Sequence, residues 1–116
     1  MNTSIEWDTV CTGLWDNSRD NIRHALDHLR ELRGLSSWND NSDRGHHFKW
    51  AIVSVHQAAE CFCNILFIKK NPGDSALFDN KGRLRLPYLN KILQLLQQSK
   101  NIFLSPSEKM FIDLLK

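Results

Sequence analysis

Apolar residues at the start of the chain recur at steps of three and four, which is the spacing of one helix face. The pattern predicts a helix from about Ile5 to Arg33, with charged residues of both signs on the opposite face and Gly34 as its stop. The sequence does not decide whether this helix is broken near Gly13, because glycine lowers helix propensity. The apolar face consists of Trp7, Cys11, Leu14, Ser18, Ile22, Ala25, Leu29 and Leu32.

A polar segment, residues 36–45, separates this helix from the next and predicts a loop. From about His46 to Lys70 the apolar residues surround the helix axis instead of forming one stripe. A helix with that pattern is typical of the buried centre of a domain. The Asn-Pro-Gly triplet at residues 71–73 ends it.

Two shorter helices are predicted after a connecting segment, residues 74–87, with a turn at residues 80–82 and a short extended piece near Leu84. One runs from about Tyr88 to Ser99. The other begins at Ser105 and Pro106 with Glu108 three residues on, the pattern of a capping box. The expected apolar stripes are Leu89, Ile92, Leu93 and Leu96 in the third helix, and Met110, Phe111, Leu114 and Leu115 in the fourth.

The four stripes predict an all-α fold, an antiparallel helical bundle of four to five helices that forms a single domain over residues 1–116. Ala58, Phe62 and Ile65 should be buried. The periodicity of the fourth helix still runs at Lys116, so we expect the natural protein to continue it. Trp15 and Trp38 lie off the core stripes and should leave apolar surface.

Composition narrows the class of protein. A net charge of +2 excludes a strongly basic nucleic-acid coat and an acidic disordered chain. Three cysteines are too few, and odd in number, for a secreted domain stapled by disulfides. The first eight residues hold no signal peptide, and polar residues interrupt the most apolar stretch, residues 50–68. We therefore expect a reduced, cytoplasmic protein with no membrane span.

Two pairs of residues have side chains that can bind a metal ion, but the spacing of neither pair predicts a metal site. His24 and His28 share a helix face, but no third ligand lies beside them, so solvated surface side chains are expected. Cys61 and Cys63 point about 200° apart on a helix and are expected to be small buried hydrophobes. The sequence predicts no metal and no cofactor.

His56 and Glu60 share a face of the second helix and must find polar partners there, because isolated buried charges are costly. They can form a structural or water-facing pair, or the polar floor of a site between helices. The sequence has no glycine-rich phosphate loop, G-x-S-x-G elbow or H-E-x-x-H motif. A self-contained small-molecule enzyme is therefore not expected.

The stretch HFKWAIVSVHQAAE, which ends at Glu60, resembles the second-helix signature of bacterial HEPN domains. A Lys-Asn-Pro helix end, a Leu-rich helix and a Leu-Ser-x-x-Glu opening follow in the same order, so the resemblance spans about Phe48 to Lys116. It implies an all-α domain of a cytoplasmic toxin, phage-defence or RNA-processing protein. The alternative is a catalytically silent helical module that binds a nucleotidyltransferase or another antitoxin.

The same resemblance implies a metal-independent endoribonuclease with an Arg-x(4–6)-His motif, which is expected to begin near Lys116. Asn64 stands where many relatives have Lys. Arg19 with His24, and Arg23 with His28, fit the motif's spacing but lie near the wrong end, so the 116-residue chain is predicted to be inactive on RNA. The resemblance also implies a homodimer whose cleft lies between the last helices, with Glu60 and His56 close to it as candidate catalytic residues.

Overall fold

The computed structural model describes residues 5–34, 41–98 and 103–115. These residues form four α-helices: α1 (Trp7–Gly34), α2 (Asn41–Lys70), α3 (Leu89–Gln98) and α4 (Pro106–Leu114). A single turn of 3₁₀ helix, Ser75–Leu77, lies between α2 and α3. The described residues contain no strand, only one antiparallel bridge between Phe78 and Leu84. The predicted all-α helical bundle is confirmed.

The α1 helix runs without interruption through Gly13, so the break that the sequence left open does not occur. Gly13 is exposed, and a methyl group added there would meet no atom within 4 Å. The unfavourable propensity of one glycine, about 1 kcal/mol, is small beside the packing of a 28-residue helix along its neighbour.

The α2 helix begins at Asn41, five residues before the expected start at His46. The predicted loop over residues 36–45 is therefore wrong for residues 41–45, while residues 36–40, including Trp38, lie outside the described part. Asn, Ser and Asp are common at helix starts as well as in loops, because their side chains bond the free N–H groups of the first turn. The polar composition of residues 36–45 alone therefore did not distinguish a loop from the start of a helix.

The α1 and α2 helices pack antiparallel along a seam of small side chains. Ser18 and Ala25 of α1 are buried in it, as are Ala51, Ser54 and Ala58 of α2. The Ser18 hydroxyl donates to the carbonyl of Ala58 at 3.4 Å. Short side chains allow the helix axes to approach closely, so the seam depends on a lack of bulk at these positions.

The hydrophobic core lies at one end of this hairpin, where α3, α4 and the α2–α3 connection cover the second half of α2. Trp7, Val10, Cys11 and Leu14 of α1 pack against it. The four residues of the predicted α3 stripe are all buried. The core residues are Ala59, Cys63, Phe67, Ile68, Leu77, Leu89, Ile92, Leu93, Leu96, Leu104 and Ile112.

Burial on α2 follows the prediction only in part. Ala58 is buried, as expected, but Phe62 and Ile65 are half-buried. The Phe62 ring lies at the flank of the seam, where it packs edge-on against the rings of Trp15 and Phe111 at 5.5 and 6.5 Å between centroids. These contacts hold α4 against the hairpin without removing Phe62 from solvent completely.

The first half of α2 is buried only along its seam with α1, which corrects the expectation of a central helix that is buried on all sides. Phe48, Ile52 and Val55 are 53–55% exposed. The reason is that α3 and α4 are short, 10 and 9 residues, and reach only the other half. The radius of gyration, 17.1 Å, accordingly exceeds the ~13 Å of a compact domain of this size. We call residues 19–33 of α1 and 45–57 of α2 the distal hairpin.

The connection between α2 and α3 contains the predicted turn. Gly82 has φ of 77°, a backbone conformation that favours glycine. The Asp79 carboxylate accepts the backbone N–H groups of Lys81 and Arg83 at 2.9 Å. The hydrogen bond from the Arg83 N–H is the main reason that the pKa of Asp79 is lowered.

The α4 helix begins with the predicted capping box. The Ser105 hydroxyl accepts the N–H of Glu108 at 3.2 Å, and the Glu108 carboxylate accepts the N–H of Ser105 at 2.8 Å. The apolar face differs from the prediction: Ile112 is buried, while Met110 and Leu114 are 65% and 78% exposed. The side of α4 that packs on the core consists of Ile112 with the half-buried Phe111 and Leu115, so two of the four predicted residues face the core.

The ionisation of Glu108 should make the free energy of unfolding depend on pH. Its hydrogen bond from the Ser105 N–H, and then Lys70 at 3.0 Å, lower its pKa below the ordinary 4.5. This stabilisation is present above that value and is lost as the pH falls through the lowered pKa. Glu108→Gln keeps a capping-box side chain without the charge. We expect the variant to lose less stability than the wild type in urea unfolding between about pH 5 and pH 3. The exposed Glu31→Gln, as control, should follow the wild type, and parallel curves for all three proteins would contradict this role of Glu108.

Candidate functional site

Glu60, one of the two candidate catalytic residues, connects α2 to the start of α3. Its side chain is half-buried, and Oε2 accepts the backbone N–H of Leu89, the first residue of α3, at 2.9 Å. The first N–H groups of a helix have no partner within the helix, and the positive end of the helix dipole favours a carboxylate. The geometry therefore gives Glu60 a structural bond across 29 residues of sequence.

Asn64, one turn after Glu60, strengthens the same junction. Its Nδ2 donates to the carbonyl of Pro87 at 3.0 Å and to the carbonyl of Glu60 at 3.0 Å. The residue is 2% exposed, and its Oδ1 has no hydrogen-bond partner among the described residues. We call Glu60, Asn64, Pro87 and Leu89 the α2–α3 junction. In the sequence, Asn64 stands out only as a departure from the HEPN pattern, although a buried amide on an apolar helix requires a hydrogen-bond partner.

His56, the other candidate catalytic residue, lies one turn before Glu60 and is exposed. In the described part of the chain it makes no hydrogen bond or ion pair, with Glu60 or with any other residue. Glu60 also does not line the open cavity of about 340 Å³ beside the junction, whose polar lining includes Asp79, Arg85 and Lys91. Within the described residues, Glu60 therefore forms no hydrogen-bonded pair with a histidine.

Two substitutions of Glu60 separate its structural bond from its charge. Glu60→Ala removes the acceptor and leaves the Leu89 N–H without a protein partner, so we expect the free energy of unfolding to fall by about 1–3 kcal/mol. Glu60→Gln keeps a side-chain oxygen for that N–H and should lose about half as much or less. Chemical denaturation measures both. Equal losses for the two variants would mean that the carboxylate charge, and not the hydrogen bond, holds α3.

Three histidines lie close together at the far end of the distal hairpin, a cluster that the sequence pattern did not predict. His28 and His47 share a hydrogen bond of 2.9 Å between their Nδ1 atoms, so one ring donates and the other accepts. The His46 ring lies 5.4 Å from that of His47 and 6.2 Å from that of Trp50. His28 was expected on the solvated face and is half-buried instead, while His24 is exposed. No group of three His, Cys, Asp or Glu residues placed to hold a metal is found in the described ranges.

The two Arg–His pairs with ribonuclease-like spacing are not assembled. Positions five apart on a helix point about 140° away from each other. Arg19 instead bonds Asp16 at 3.0 Å, and Arg23 lies 4.0 Å from Asp20, both on the outer surface of α1. The structure therefore gives neither pair a shared site.

The three cysteines are free thiols, with Cys63 fully buried and Cys11 and Cys61 half-buried. Burial raises the pKa of each, and it raises that of Cys63 to about 12, with the nearby Glu60 charge adding to the effect. A thiol is nucleophilic as its thiolate, so these cysteines are poorly suited to catalysis at neutral pH. The expectation that Cys61 and Cys63 are buried small hydrophobes is confirmed for Cys63, whereas Cys61 is only half-buried.

Comparison with known proteins adds no family to these observations. No family model matches the chain, and no similar protein was found among curated sequences or solved structures. One helix of the described residues, Gly45–Lys70 within α2, is long and apolar enough to cross a membrane by length and composition, with a mean hydropathy of 1.5. A core helix of a soluble protein passes the same test, and 44% of that window is buried in this fold.

Proposed function

We propose that the chain is a HEPN-like domain of a cytoplasmic toxin, phage-defence or RNA-processing protein, and that it works as a homodimer. The observation that carries the proposal is the position of the HEPN-like stretch in the fold. Its Ala58 and Ala59 are buried, and its Glu60 holds the first N–H of α3. The stretch that resembles the family therefore joins the hairpin to the core, as expected for a defining motif.

The chemistry proposed for the natural protein is RNA cleavage without a metal. Attack by the RNA's own 2′-OH needs a group that accepts its proton, a donor for the leaving oxygen and positive charge near the phosphate. One His and one Arg from each copy of a dimer meet these needs. If the gene encodes an Arg-x(4–6)-His segment after Lys116, that segment supplies them, with Glu60 as a support for the helices around the cleft.

The test compares two proteins on RNA in the presence of a metal chelator. One is the 116-residue chain, and the other adds whatever residues the gene encodes after Lys116. We expect the longer protein alone to cleave RNA and to lose that activity when the Arg or His of the added motif is changed to Ala. Cleavage by the 116-residue chain that disappears in His24→Ala or His28→Ala would overturn the proposal.

A second candidate is a catalytically silent module that binds a nucleotidyltransferase or another antitoxin. The outer face of α4 favours it, because Met110 and Leu114 are 65% and 78% exposed and Phe103, just before the helix, is 80% exposed. Large apolar side chains exposed side by side are typical of protein-binding surfaces. A partner encoded beside this gene should then bind the wild type and lose affinity for Leu114→Ser, whereas binding unchanged by that substitution would count against the module.

A further inference from the structure

The distal hairpin, together with Trp15 one turn before it in α1, exposes an apolar surface that the proposed chemistry does not use. Seven large side chains form it, and each is 39–55% exposed. We call this surface the hairpin face. It consists of Trp15, Ile22, Leu26 and Leu29 on α1 and Phe48, Ile52 and Val55 on α2.

These side chains lie on one side of the hairpin. At 100° per residue, the four on α1 fall within an arc of about 60°, and the three on α2 within about the same arc. Contacts at both ends join the two helices on this side. The Trp15 ring packs on Phe62 at 5.5 Å, and Leu29 shares an apolar groove of about 230 Å³ with Phe48 and Ile52. The hairpin face is therefore continuous across both helices.

The opposite side of α1 is polar, with Asp20, His24, Asp27 and Glu31 all exposed. The exposed surface of α1 is thus divided into an apolar and a polar side. With full surfaces on the order of 150–250 Å² for large side chains, the seven residues leave roughly 700 Å² uncovered. A soluble monomer rarely leaves a contiguous apolar patch above a few hundred Å² without a use for it.

We propose that the hairpin face is covered by the same face of a second copy of this chain. A stable interface takes about 800 Å² from each partner, and the hairpin face with its rim supplies that area. Two antiparallel hairpins that pack face to face about a two-fold axis form a four-helix bundle, which buries the apolar side of both. The second copy therefore completes the bundle that α3 and α4 are too short to complete.

Charge also favours a second copy as the occupant. The seven side chains of the hairpin face are uncharged, and three of the cations beside it are paired within α1: Arg19 with Asp16, Arg23 with Asp20 and Arg30 with Asp27. The exposed Arg33 lies at the far end of the face, one turn beyond Leu29. The net charge of the chain is only +2. Over the seven apolar side chains, two identical surfaces can therefore meet without the like-charge repulsion that opposes self-association.

This inference rests on the proposed homodimer and not on RNA cleavage. It places the contact on the hairpin face, whereas the HEPN resemblance places it between the last helices. The two surfaces can be separated, because Leu114 on α4 is 78% exposed and lies outside the hairpin face. A charge introduced at Leu114 therefore serves as the matched control for a charge introduced at Ile52, which is 54% exposed.

The test is sedimentation equilibrium of the wild-type chain, Ile52→Glu and Leu114→Glu over a range of concentrations. Both substitutions place a good helix former at an exposed helix position, and circular dichroism checks that the helices remain. We expect the mass of two chains for the wild type and for Leu114→Glu. Ile52→Glu should weaken the dimer by about 100-fold or more, because a two-fold interface contains the substitution twice. Leu26→Lys tests the same face from α1 if Ile52→Glu loses its helices.

Three results would overturn the inference. A wild-type chain that is monomeric at every concentration ends both this inference and the proposed homodimer. A dimer that is lost in Leu114→Glu but kept in Ile52→Glu and Leu26→Lys ends the inference alone and places the contact on the last helices. A monomer that binds phosphatidylcholine vesicles through Ile52 assigns the hairpin face to a membrane surface.

Discussion

Phe67→Ala should lower the free energy of unfolding by about 3–5 kcal/mol. The Phe67 side chain is 1% exposed, at the point where α2 packs into the core. Its removal forfeits the transfer energy of a large ring and leaves a cavity between residues that belong to several elements, so the site cannot easily collapse. Urea unfolding followed by circular dichroism measures the loss.

Phe103→Ala is the matched control, because the same substitution at a side chain that is 80% exposed removes almost no buried surface. We expect its effect to stay within about 0.5 kcal/mol. A domain of this kind has a total stability of about 5–15 kcal/mol, so the Phe67 variant should unfold at a clearly lower denaturant concentration. Similar losses for the two variants would contradict the packing of α2 at the centre of the core.

The parts of the fold that the sequence predicted well are those decided by neighbouring residues. The Ser105–Glu108 capping box is a contact between residues three apart, and it marks the start of α4. The stripe in α3 is a regular repeat, and its hydrophobic side is buried as predicted. A helix end or a helix face of this kind depends on local geometry, which sequence spacing reports directly.

The extent of burial on α2 could not be predicted in the same way. Apolar residues surround the helix along its whole length, but burial requires other elements long enough to cover them. The two helices that provide the cover end beside the second half of α2, which leaves Phe48 and Ile52 exposed. A periodic pattern of apolar residues identifies a surface that is expected to pack against another element. It does not tell whether that element belongs to the same chain.

Of the candidate site, the sequence identified one residue and missed its contacts. Glu60 was singled out because a carboxylate on an apolar helix needs a partner, and it has one in the N–H of Leu89. The identity of that partner depends on how α3 docks, which no local pattern contains. The position of His28 could have been predicted from the sequence, because His28 continues the three-four spacing of Ala25 and Leu32 along the seam. That spacing predicts a half-buried histidine.

The α2–α3 junction explains why a polar residue at position 64 is compatible with a buried helix. Asn64 donates both amide protons, one to the Pro87 carbonyl before α3 and one to the Glu60 carbonyl in its own helix. Its role is thus that of a donor between two acceptors. A side chain of the same shape without those donors should therefore be strongly destabilising.

Asn64→Asp makes that replacement with almost no change in volume, and we expect it to lower the free energy of unfolding at pH 7 by about 3–5 kcal/mol. The new carboxylate faces the two carbonyl oxygens, with the Glu60 charge one turn away, in a site that excludes water. Burial and these oxygens favour the protonated acid, so its pKa in the folded protein should rise above the ordinary value of about 3.9. The protonated acid can donate to Pro87, so the stability gap to the wild type should be smallest below about pH 4 and should widen as the pH rises through the raised pKa.

The control is Asn90→Asp, the same change at an exposed position in the first turn of α3, where a negative charge suits the helix dipole. Its stability should stay within about 0.5 kcal/mol of the wild type at pH 7. Urea unfolding of the three proteins at a series of pH values between about 3 and 8 gives both the size of the loss and its pH dependence. A loss for Asn64→Asp that does not change with pH would mean that the new carboxylate is solvated. The bond from position 64 to Pro87 would then not hold the start of α3.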